Sequence, residues 1–286
     1  MSKNINFFKN KITETWPGKK GILTEFIFYL KEKLHLSDVS IYVDDYSLSK
    51  DEEDSINQFI TLKKQEVPLD YILEKSSFYG NNFFVDPRVL IPRPETESLV
   101  AWILETADTT APLQIIDIGT GTGCIPITLA KHLPKANLFA IEVSKEALRI
   151  AKQNTTLNKV KIHFTEKNIL ETTVLPQKFD VIVSNPPYVR ALEKVDIKKN
   201  VLENEPHLAL FVEDDNPLLF YDKIADIAKE HLTINGLLFF EINQYLGTET
   251  VEMLHKKGFK NIELRKDLFG KDRMIQCSFF ESESKD

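Results

Sequence analysis

Cysteine is scarce in this sequence, and long apolar runs are absent. Two cysteines, Cys124 and Cys277, stand in 286 residues, which is too few for a disulfide framework and gives no metal-type spacing. No stretch approaches the roughly 18 apolar residues that span a bilayer, and the opening MSKNINFFKN has no apolar core of signal-peptide length. These absences predict a cytoplasmic protein in a reducing compartment with no membrane partner.

Positive charge is also in deficit. The chain carries 36 Lys and Arg residues against 43 Asp and Glu residues, a formal charge of -7, whereas proteins that bind by neutralising many phosphates need the opposite balance. The six histidines are scattered, with no pair four residues apart and no cysteine at ligand spacing. We therefore expect no direct nucleic-acid binding and no metal site.

The composition is that of a globular chain with a real core, since 42% of the residues are hydrophobic and 28% are charged. The length fits one full-sized domain and a smaller one. Apolar residues recur at the helical three-and-four spacing between residues 20 and 36, and Ser49 with Glu52 has the form of a capping box ahead of a second amphipathic stretch. We predict an N-terminal helical domain over residues 1–75, acting either as a scaffold or in substrate docking.

Residues 76–93 change character. Aromatic and β-branched residues are interrupted there by turn formers such as Gly80 and Pro87, which predicts a β-hairpin linker. Two prolines within Ile91–Pro–Arg–Pro–Glu–Thr–Glu97 then delay the next helix, so that Glu95 and Glu97 fall in its first turn and complement the helix dipole.

From Leu113 onward, short apolar runs alternate with helical segments. Seven such runs are present, at residues 113–118, 136–141, 160–164, 179–183, 237–242, 262–264 and 274–280. Strands that alternate with helices form a mostly parallel sheet covered on both faces. We therefore predict an α/β fold for residues 94–286, a catalytic domain whose ligands lie beyond the carboxyl ends of the strands.

The first apolar run leads into a glycine-rich loop, Asp117–Ile–Gly119–Thr120–Gly121–Thr122–Gly123. Glycines at alternate positions let the backbone turn sharply and approach a ligand closely. The second run ends in Glu142, where a carboxylate can accept both hydroxyl hydrogens of a ribose. The glycine spacing differs from the dinucleotide pattern, which favours S-adenosylmethionine over NAD. Asp117 is placed to receive the methionine ammonium, directly or through water.

Two residues that follow the third run are candidates for binding the adenine. Asn168 can accept a hydrogen bond from the exocyclic amine, and Ile169 can pack on the ring. Taken alone, both residues are more often ordinary loop and core positions.

The fourth run ends at the most specific motif of the chain, Asn185–Pro186–Pro187–Tyr188. Consecutive prolines hold the backbone extended, so the Asn185 side-chain oxygen and the Pro186 carbonyl can converge as rigid acceptors. Such acceptors suit a planar NH2 group, which is a poor nucleophile until its free face is aimed at an electrophilic methyl group. Tyr188 can stack on the flat substrate. The motif therefore predicts methyl transfer to an amide or aromatic amine.

Together these motifs resemble those of the release factor glutamine N5-methyltransferases, the HemK/PrmC family. The resemblance covers roughly residues 65 to 280 and rests on Ile91–Glu97, the glycine loop, the tetrapeptide at 185–188, and Glu205–Pro206 with Ala209–Leu210. It implies a seven-stranded, Rossmann-like S-adenosylmethionine-dependent methyltransferase domain preceded by a small helical domain. It also implies a substrate, the glutamine of the Gly-Gly-Gln motif in class 1 peptide chain release factors, and S-adenosylhomocysteine as a product.

The resemblance further implies roles for individual residues. The expected cofactor contacts are Gly119, Thr120, Gly121, Thr122, Gly123, Glu142, Ile169 and Asn185. The residues expected to hold the glutamine are Asn185, Pro186, Pro187 and Tyr188, of which Asn185, Pro186 and Tyr188 are the expected catalytic residues.

Three alternatives stay open. The same tetrapeptide occurs in methyltransferases that act on adenine or cytosine amino groups of DNA or RNA, although such enzymes usually carry a basic recognition region. A glutamine of a ribosomal protein is another possible substrate, which sequence separates poorly from a release factor. The non-enzymatic alternative is a cofactor-binding module that has lost catalysis, and the intact tetrapeptide argues against it.

Overall fold

The computed structural model describes residues 4–42, 46–108, 110–267 and 269–279. The chain separates into two compact units. The smaller one contains the residues up to Lys75 together with 198–204, and the larger one contains 76–197 and the residues from Glu205 onward. Within the described ranges, no helix combines the length and the apolar character needed to cross a bilayer.

The smaller unit is helical. Its helices are α1 (Ile5–Thr15), α2 (Lys20–Glu32), α3 (Asp38–Tyr42), α4 (Lys50–Lys64), α5 (Leu69–Leu73) and, from the later segment, α9 (Lys199–Asn204). The capping box predicted at the start of α4 is formed, because Glu52 N–H donates to the Ser49 hydroxyl and Ser49 N–H donates to the Glu52 carboxylate. Fully buried Phe8, Phe26 and Phe59 form the centre of its core.

The predicted hairpin is a pair of short antiparallel strands, β1 (Ser76–Phe78) and β2 (Asn81–Phe83). Tyr79 and Gly80 connect them with positive φ angles of 49° and 72°, the geometry of a tight hairpin turn. Because Phe78 and Phe83 are buried in the core of the larger unit, residues 76–93 pack as part of that unit. Helix α6 (Pro94–Thr106) follows, with Glu95 and Glu97 in its first turn as the sequence indicated.

A seven-stranded sheet forms the larger unit, which confirms the predicted α/β fold. Its strands are β3 (Gln114–Ile118), β4 (Asn137–Glu142), β5 (His163–Glu166), β6 (Phe179–Ser184), β9 (Leu232–Glu241), β10 (Lys260–Lys266) and β11 (Asp272–Ser278). They are ordered β10-β11-β9-β6-β3-β4-β5. The strands from β9 to β5 are parallel, whereas β11 runs antiparallel to both of its neighbours.

Alternating residues of the strands bury two separate cores, one on each face of the sheet. Ile115 of β3 packs with α6 and α7 (Cys124–His132). Its neighbour Ile116 packs with α10 (Leu219–His231) and α11 (Gly247–Lys256). This two-residue period is what an extended strand between two helical layers requires.

The connections that follow β3, β4, β5 and β6 all lie at the carboxyl edge of the sheet. After β3 comes α7, after β4 comes α8 (Lys145–Asn158), and after β5 a single 3-10 turn at Ile169–Glu171. Two short strands, β7 (Val189–Arg190) and β8 (Phe211–Val212), pair in parallel beyond β6. The candidate site residues are therefore carried to one edge of the sheet.

Candidate active site

The glycine loop joins β3 to α7 through backbone conformations that favour glycine. Gly119, Gly121 and Gly123 have φ angles of 79°, 53° and 80°. An alanine Cβ at Gly123 would also lie 3.1 Å from the Ile127 Cδ1 atom. The Gly119 and Thr120 N–H groups donate to the Ile141 carbonyl at the end of β4, so the loop is fastened to the neighbouring strand.

Glu142, the last residue of β4, is buried and held by three backbone N–H groups. Its Oε2 atom accepts from Gly121 at 3.0 Å, and its Oε1 atom accepts from Val143 and Ser144 at 2.9 and 3.0 Å. A carboxylate offers about four acceptor positions. About one acceptor position on Oε2 therefore stays free for a ligand, and the contact of Glu142 with both ribose hydroxyls remains a prediction.

Asp117 is a buried acidic residue at the same edge of the sheet, and its carboxylate lacks the hydrogen-bond donors that Glu142 has. Its side chain is 1% exposed, and neither carboxylate oxygen has a hydrogen-bond partner of ordinary geometry among the described residues. Burial raises the pKa of Asp117 to about 7; the nearby Thr120 hydroxyl lowers that pKa and the Glu142 charge adds to it. A buried carboxylate without donors is a natural partner for a cationic group of a ligand.

The candidate adenine residues lie where β5 ends. Asn168 caps the 3-10 turn, since its Oδ1 accepts from Leu170 N–H at 3.0 Å while its Nδ2 donates to Glu171 at 2.9 Å. Ile169 is buried in the core and also faces the cavity described below. The Asn168 side chain thus has a structural role already, and its oxygen keeps one acceptor position.

The tetrapeptide at the end of β6 is attached to a buried hydrogen-bond chain. Asn185 Nδ2 donates to the Thr96 Oγ1 atom at 3.2 Å, and the Thr96 hydroxyl donates to Glu241 Oε2 at 2.6 Å. The Tyr188 hydroxyl donates to the other oxygen, Glu241 Oε1, at 3.1 Å. Beside them Ser184 donates to the Ile118 carbonyl at 2.6 Å, which ties the ends of β6 and β3 together. Burial raises the pKa of Tyr188 well above its ordinary value, so its phenol stays neutral.

One cavity of about 1140 Å³, including the space open to solvent, collects most of these residues. The predicted site residues in its wall are Gly119, Thr120, Gly121, Thr122, Glu142, Asn168, Ile169, Asn185, Pro186 and Pro187. Asp117, Gly123 and Tyr188 are not part of the wall. No group of three or more His, Cys, Asp or Glu side chains within the described ranges is arranged to hold a metal ion.

No binding role was predicted from the sequence for several residues that build the cavity. Residues 88–93 line it, and Arg93 donates to buried Glu205 at 2.6 Å. Buried Asn154 of α8 donates to the Thr122 carbonyl at 3.0 Å and so supports the glycine loop. No role was predicted for Glu241 either, although it is an acidic residue at the end of a buried strand, the same feature that identified Glu142.

The cavity fits an adenosine cofactor with a cationic amino-acid end. It combines an acceptor position on Glu142, an apolar side chain at Ile169, and the loop beside the unsatisfied Asp117 carboxylate. Ribose hydroxyls, an adenine ring and an ammonium group need those three kinds of partner.

Comparison with known proteins identifies the family. Residues 97–209 match the family model described as "Methyltransferase small domain". The release factor glutamine methyltransferase of Flavobacterium psychrophilum is 58% identical over 219 residues, which cover 76% of this chain and 77% of that protein. The chain belongs to the release factor glutamine methyltransferase family.

Two further proteins are similar to this chain, one in sequence and one in fold. The release factor glutamine methyltransferase of Bacteroides thetaiotaomicron is 42% identical over 78% of this chain and 79% of that protein. A ribosomal protein L11 methylase from Lactobacillus delbrueckii subsp. bulgaricus shares the fold, with a TM-score of 0.50 and 21% identity over 69% of this chain and 84% of that one. Membership of the family confirms the predicted enzyme class, an S-adenosylmethionine-dependent methyltransferase, and its cofactor.

Proposed function

We propose that this enzyme methylates the side-chain amide nitrogen of the glutamine in the Gly-Gly-Gln motif of class 1 peptide chain release factors. The observation that carries the proposal is that Asn185 and Pro186 share one cavity wall with Glu142 and the glycine loop. Asn185 and Pro186, which can hold an amide NH2, therefore line the same cavity as Glu142 and the glycine loop, which suit the cofactor. The names of the relatives support a release factor as the protein that supplies the glutamine.

Asn185 and Pro186 do the positioning in this proposal. Because Asn185 Nδ2 is engaged by Thr96, its Oδ1 atom is the end of the amide that is open to a ligand. Oδ1 and the Pro186 carbonyl would each accept one N–H of the glutamine amide. Both N–H bonds are then fixed, and the free face of the nitrogen points in a single direction.

When bound, S-adenosylmethionine supplies an electrophilic methyl group on a positively charged sulfur. Glu142 would hold its ribose, Asn168 and Ile169 its adenine, and Asp117 its ammonium group. As the glutamine nitrogen becomes cationic, the two acceptors at Asn185 and Pro186 stabilise the developing charge. The surplus proton then leaves to water, because a protonated N-alkyl amide is a strong acid. Tyr188, whose hydroxyl donates to Glu241, lies outside the cavity wall, and stacking of its ring on the flat amide group remains a prediction.

Mass spectrometry tests the proposal directly. Purified release factor is incubated with the enzyme and S-adenosylmethionine carrying a labelled methyl group, and the modified peptide is sequenced. We expect one added methyl group on the glutamine of the Gly-Gly-Gln motif and none on a release factor in which that glutamine is asparagine. Label on another residue, or none on a folded release factor with cofactor-saturated enzyme, would refute the proposed substrate.

A further inference from the structure

A buried carboxylate stands behind the tetrapeptide without lining the cavity. Glu241 is the last residue of β9 and is 1% exposed. Because β6 pairs with β9 in parallel and Ser184 lies opposite Phe240, Glu241 follows that pair at the same edge of the sheet as Asn185. The same side chain receives hydroxyl groups on both oxygens, from Thr96 and from Tyr188.

The direction of each hydrogen bond in this chain is fixed by chemistry. An ionised carboxylate only accepts, so the single hydroxyl proton of Thr96 is committed to Glu241. The Thr96 oxygen can then only accept from Asn185, and the NH2 end of the Asn185 amide must face Thr96. The amide oxygen is left for the ligand.

The surroundings of Glu241 contain charges of both signs. Burial raises the pKa of Glu241, the nearby Glu95 charge adds to the rise, and the hydroxyl groups of Thr96 and Tyr188 together with the Arg273 charge oppose it. Arg273 is in turn paired with Asp267 at 3.2 Å. The pKa of Glu241 is raised overall, while the hydroxyl donors and the guanidinium act toward the ionised form, which accepts on both oxygens and gives the hydrogen-bond chain its direction.

We propose that Glu241 is a positioning residue that acts through Thr96 to hold the Asn185 amide with its oxygen toward the substrate. This inference rests on the proposed function, because it assigns the orientation of the group that holds the glutamine. If Glu241 becomes a glutamine, its new NH2 group can donate to Thr96 and release the Thr96 proton toward Asn185. The amide would then reverse and present NH2 to the NH2 of the substrate, a donor facing a donor.

Matched variants distinguish an effect on the orientation of the Asn185 amide from a general loss of protein stability. Thr96→Val removes the hydroxyl at nearly constant shape, Thr96→Ser keeps it, and Glu241→Gln keeps the shape of the carboxylate. The control is Thr233→Val, because Thr233 of β9 donates to Asp180 of β6 at 2.9 Å. That bond has the same hydroxyl-to-carboxylate chemistry but joins β9 to β6, and Thr233 lies near the amino end of the β6–β9 pairing.

We expect Thr96→Val and Glu241→Gln to lower the single-turnover rate at saturating cofactor and release factor by about tenfold or more, since small misplacements of reacting groups have effects of that order. Thr96→Ser should restore the rate to within about threefold and Thr233→Val should stay within about twofold, while all four bind S-adenosylhomocysteine like the wild type. In an Asn185→Ala background, Thr96→Val should have no further effect on the rate, because Thr96 acts only through Asn185.

Hydrogen exchange of the Asn185 side-chain NH2, followed by NMR without cofactor or substrate, gives a readout independent of activity. The signal is assigned by its loss in Asn185→Ala. Exchange should be at least about tenfold faster in Thr96→Val than in the wild type and unchanged in Thr233→Val.

Equal exchange in the wild type and Thr96→Val, or losses of rate that add fully in the Asn185→Ala background, would overturn the proposal. A wild-type enzyme that methylates no release factor would refute the proposed function instead. The exchange measurement would then decide the orientation of the amide by itself.

Discussion

Replacing Asp117 with asparagine is expected to stabilise the cofactor-free protein and at the same time to weaken cofactor binding. Asp117 is buried without a hydrogen-bond donor of ordinary geometry, and its pKa is raised from 3.8 to about 7. A difference of about three pH units corresponds to an unfavourable free energy on the order of 4 kcal/mol for the ionised form in the folded protein. Asparagine has nearly the same shape and no charge, so that penalty disappears.

The sign of the pH dependence follows from the raised pKa. The folded protein holds the Asp117 proton more tightly than the unfolded chain, so this group contributes its full stability below about pH 4 and loses it as the pH rises through about 7. The free energy of unfolding of Asp117→Asn, relative to wild type, should therefore increase between about pH 4 and pH 8 by an amount on the order of 4 kcal/mol. Denaturant unfolding of both proteins across that range measures the difference, and comparing the two proteins cancels all other carboxylates.

Cofactor binding should show the opposite preference. A ligand ammonium favours ionised Asp117, so binding below the pKa must expel a proton, and wild-type affinity for S-adenosylhomocysteine should fall by up to about tenfold per pH unit below pH 7. The groups close to Asp117 are Glu142 and Cys124, and burial holds the pKa of Cys124 at about 12, outside this range. Titration calorimetry measures the slope. A wild-type affinity that is flat with pH, or an Asp117→Asn variant with the same slope, would show that Asp117 does not receive the ammonium.

Three further predictions concern Glu142, Asn185 and the helical unit. Glu142→Gln should weaken S-adenosylhomocysteine binding about 10- to 150-fold, which corresponds to one charge-assisted hydrogen bond of about 1.5–3 kcal/mol; unchanged affinity in calorimetry would remove Glu142 from the ribose site. Asn185→Ala should lower the single-turnover rate by about 10² or more while affecting cofactor affinity less, and Asn185→Asp should keep some activity; an Asn185→Ala rate within a few-fold of wild type would contradict the role of Asn185 in holding the glutamine amide. If the helical unit docks the substrate, replacing exposed Phe28 and Val39 by serine should raise KM for release factor with kcat unchanged; an unchanged KM would favour the scaffold role.

Most of the fold was predicted from local sequence patterns, above all the short apolar runs. The seven apolar runs correspond to the seven strands of the sheet, and central strands such as β3 and β6 are apolar on both faces because helices cover both sides. The predicted start of a strand was less accurate where the preceding helix extends further along the chain. The third run was placed from Val160, yet β5 begins at His163, because α8 ends only at Asn158 and Lys159 adopts a left-handed conformation that ends the helix. Helix α1 was not predicted, although its buried Ile5, Phe8 and Ile12 follow helical spacing.

The contacts that orient the site lie beyond the reach of local pattern. Thr96 and Glu241 are separated by 145 residues, and Asn185 and Thr96 by 89. No period or motif links residues so far apart, because the sheet order brings them together. Sequence could name the tetrapeptide, whose residue types are themselves unusual, but it could not show which group holds the Asn185 amide in one orientation.

Three buried carboxylates at the carboxyl edge of the sheet differ in the number of hydrogen-bond donors that they receive. Glu142 receives three backbone N–H groups, Glu241 receives two hydroxyls, and Asp117 has no donor of ordinary geometry. A buried carboxylate is stable as an anion only to the extent that donors replace its lost water. Glu142 and Glu241 therefore have fixed orientations before a ligand arrives. Asp117 remains the carboxylate for which a ligand cation would make the largest electrostatic difference, and it is where cofactor binding should be coupled to loss of a proton.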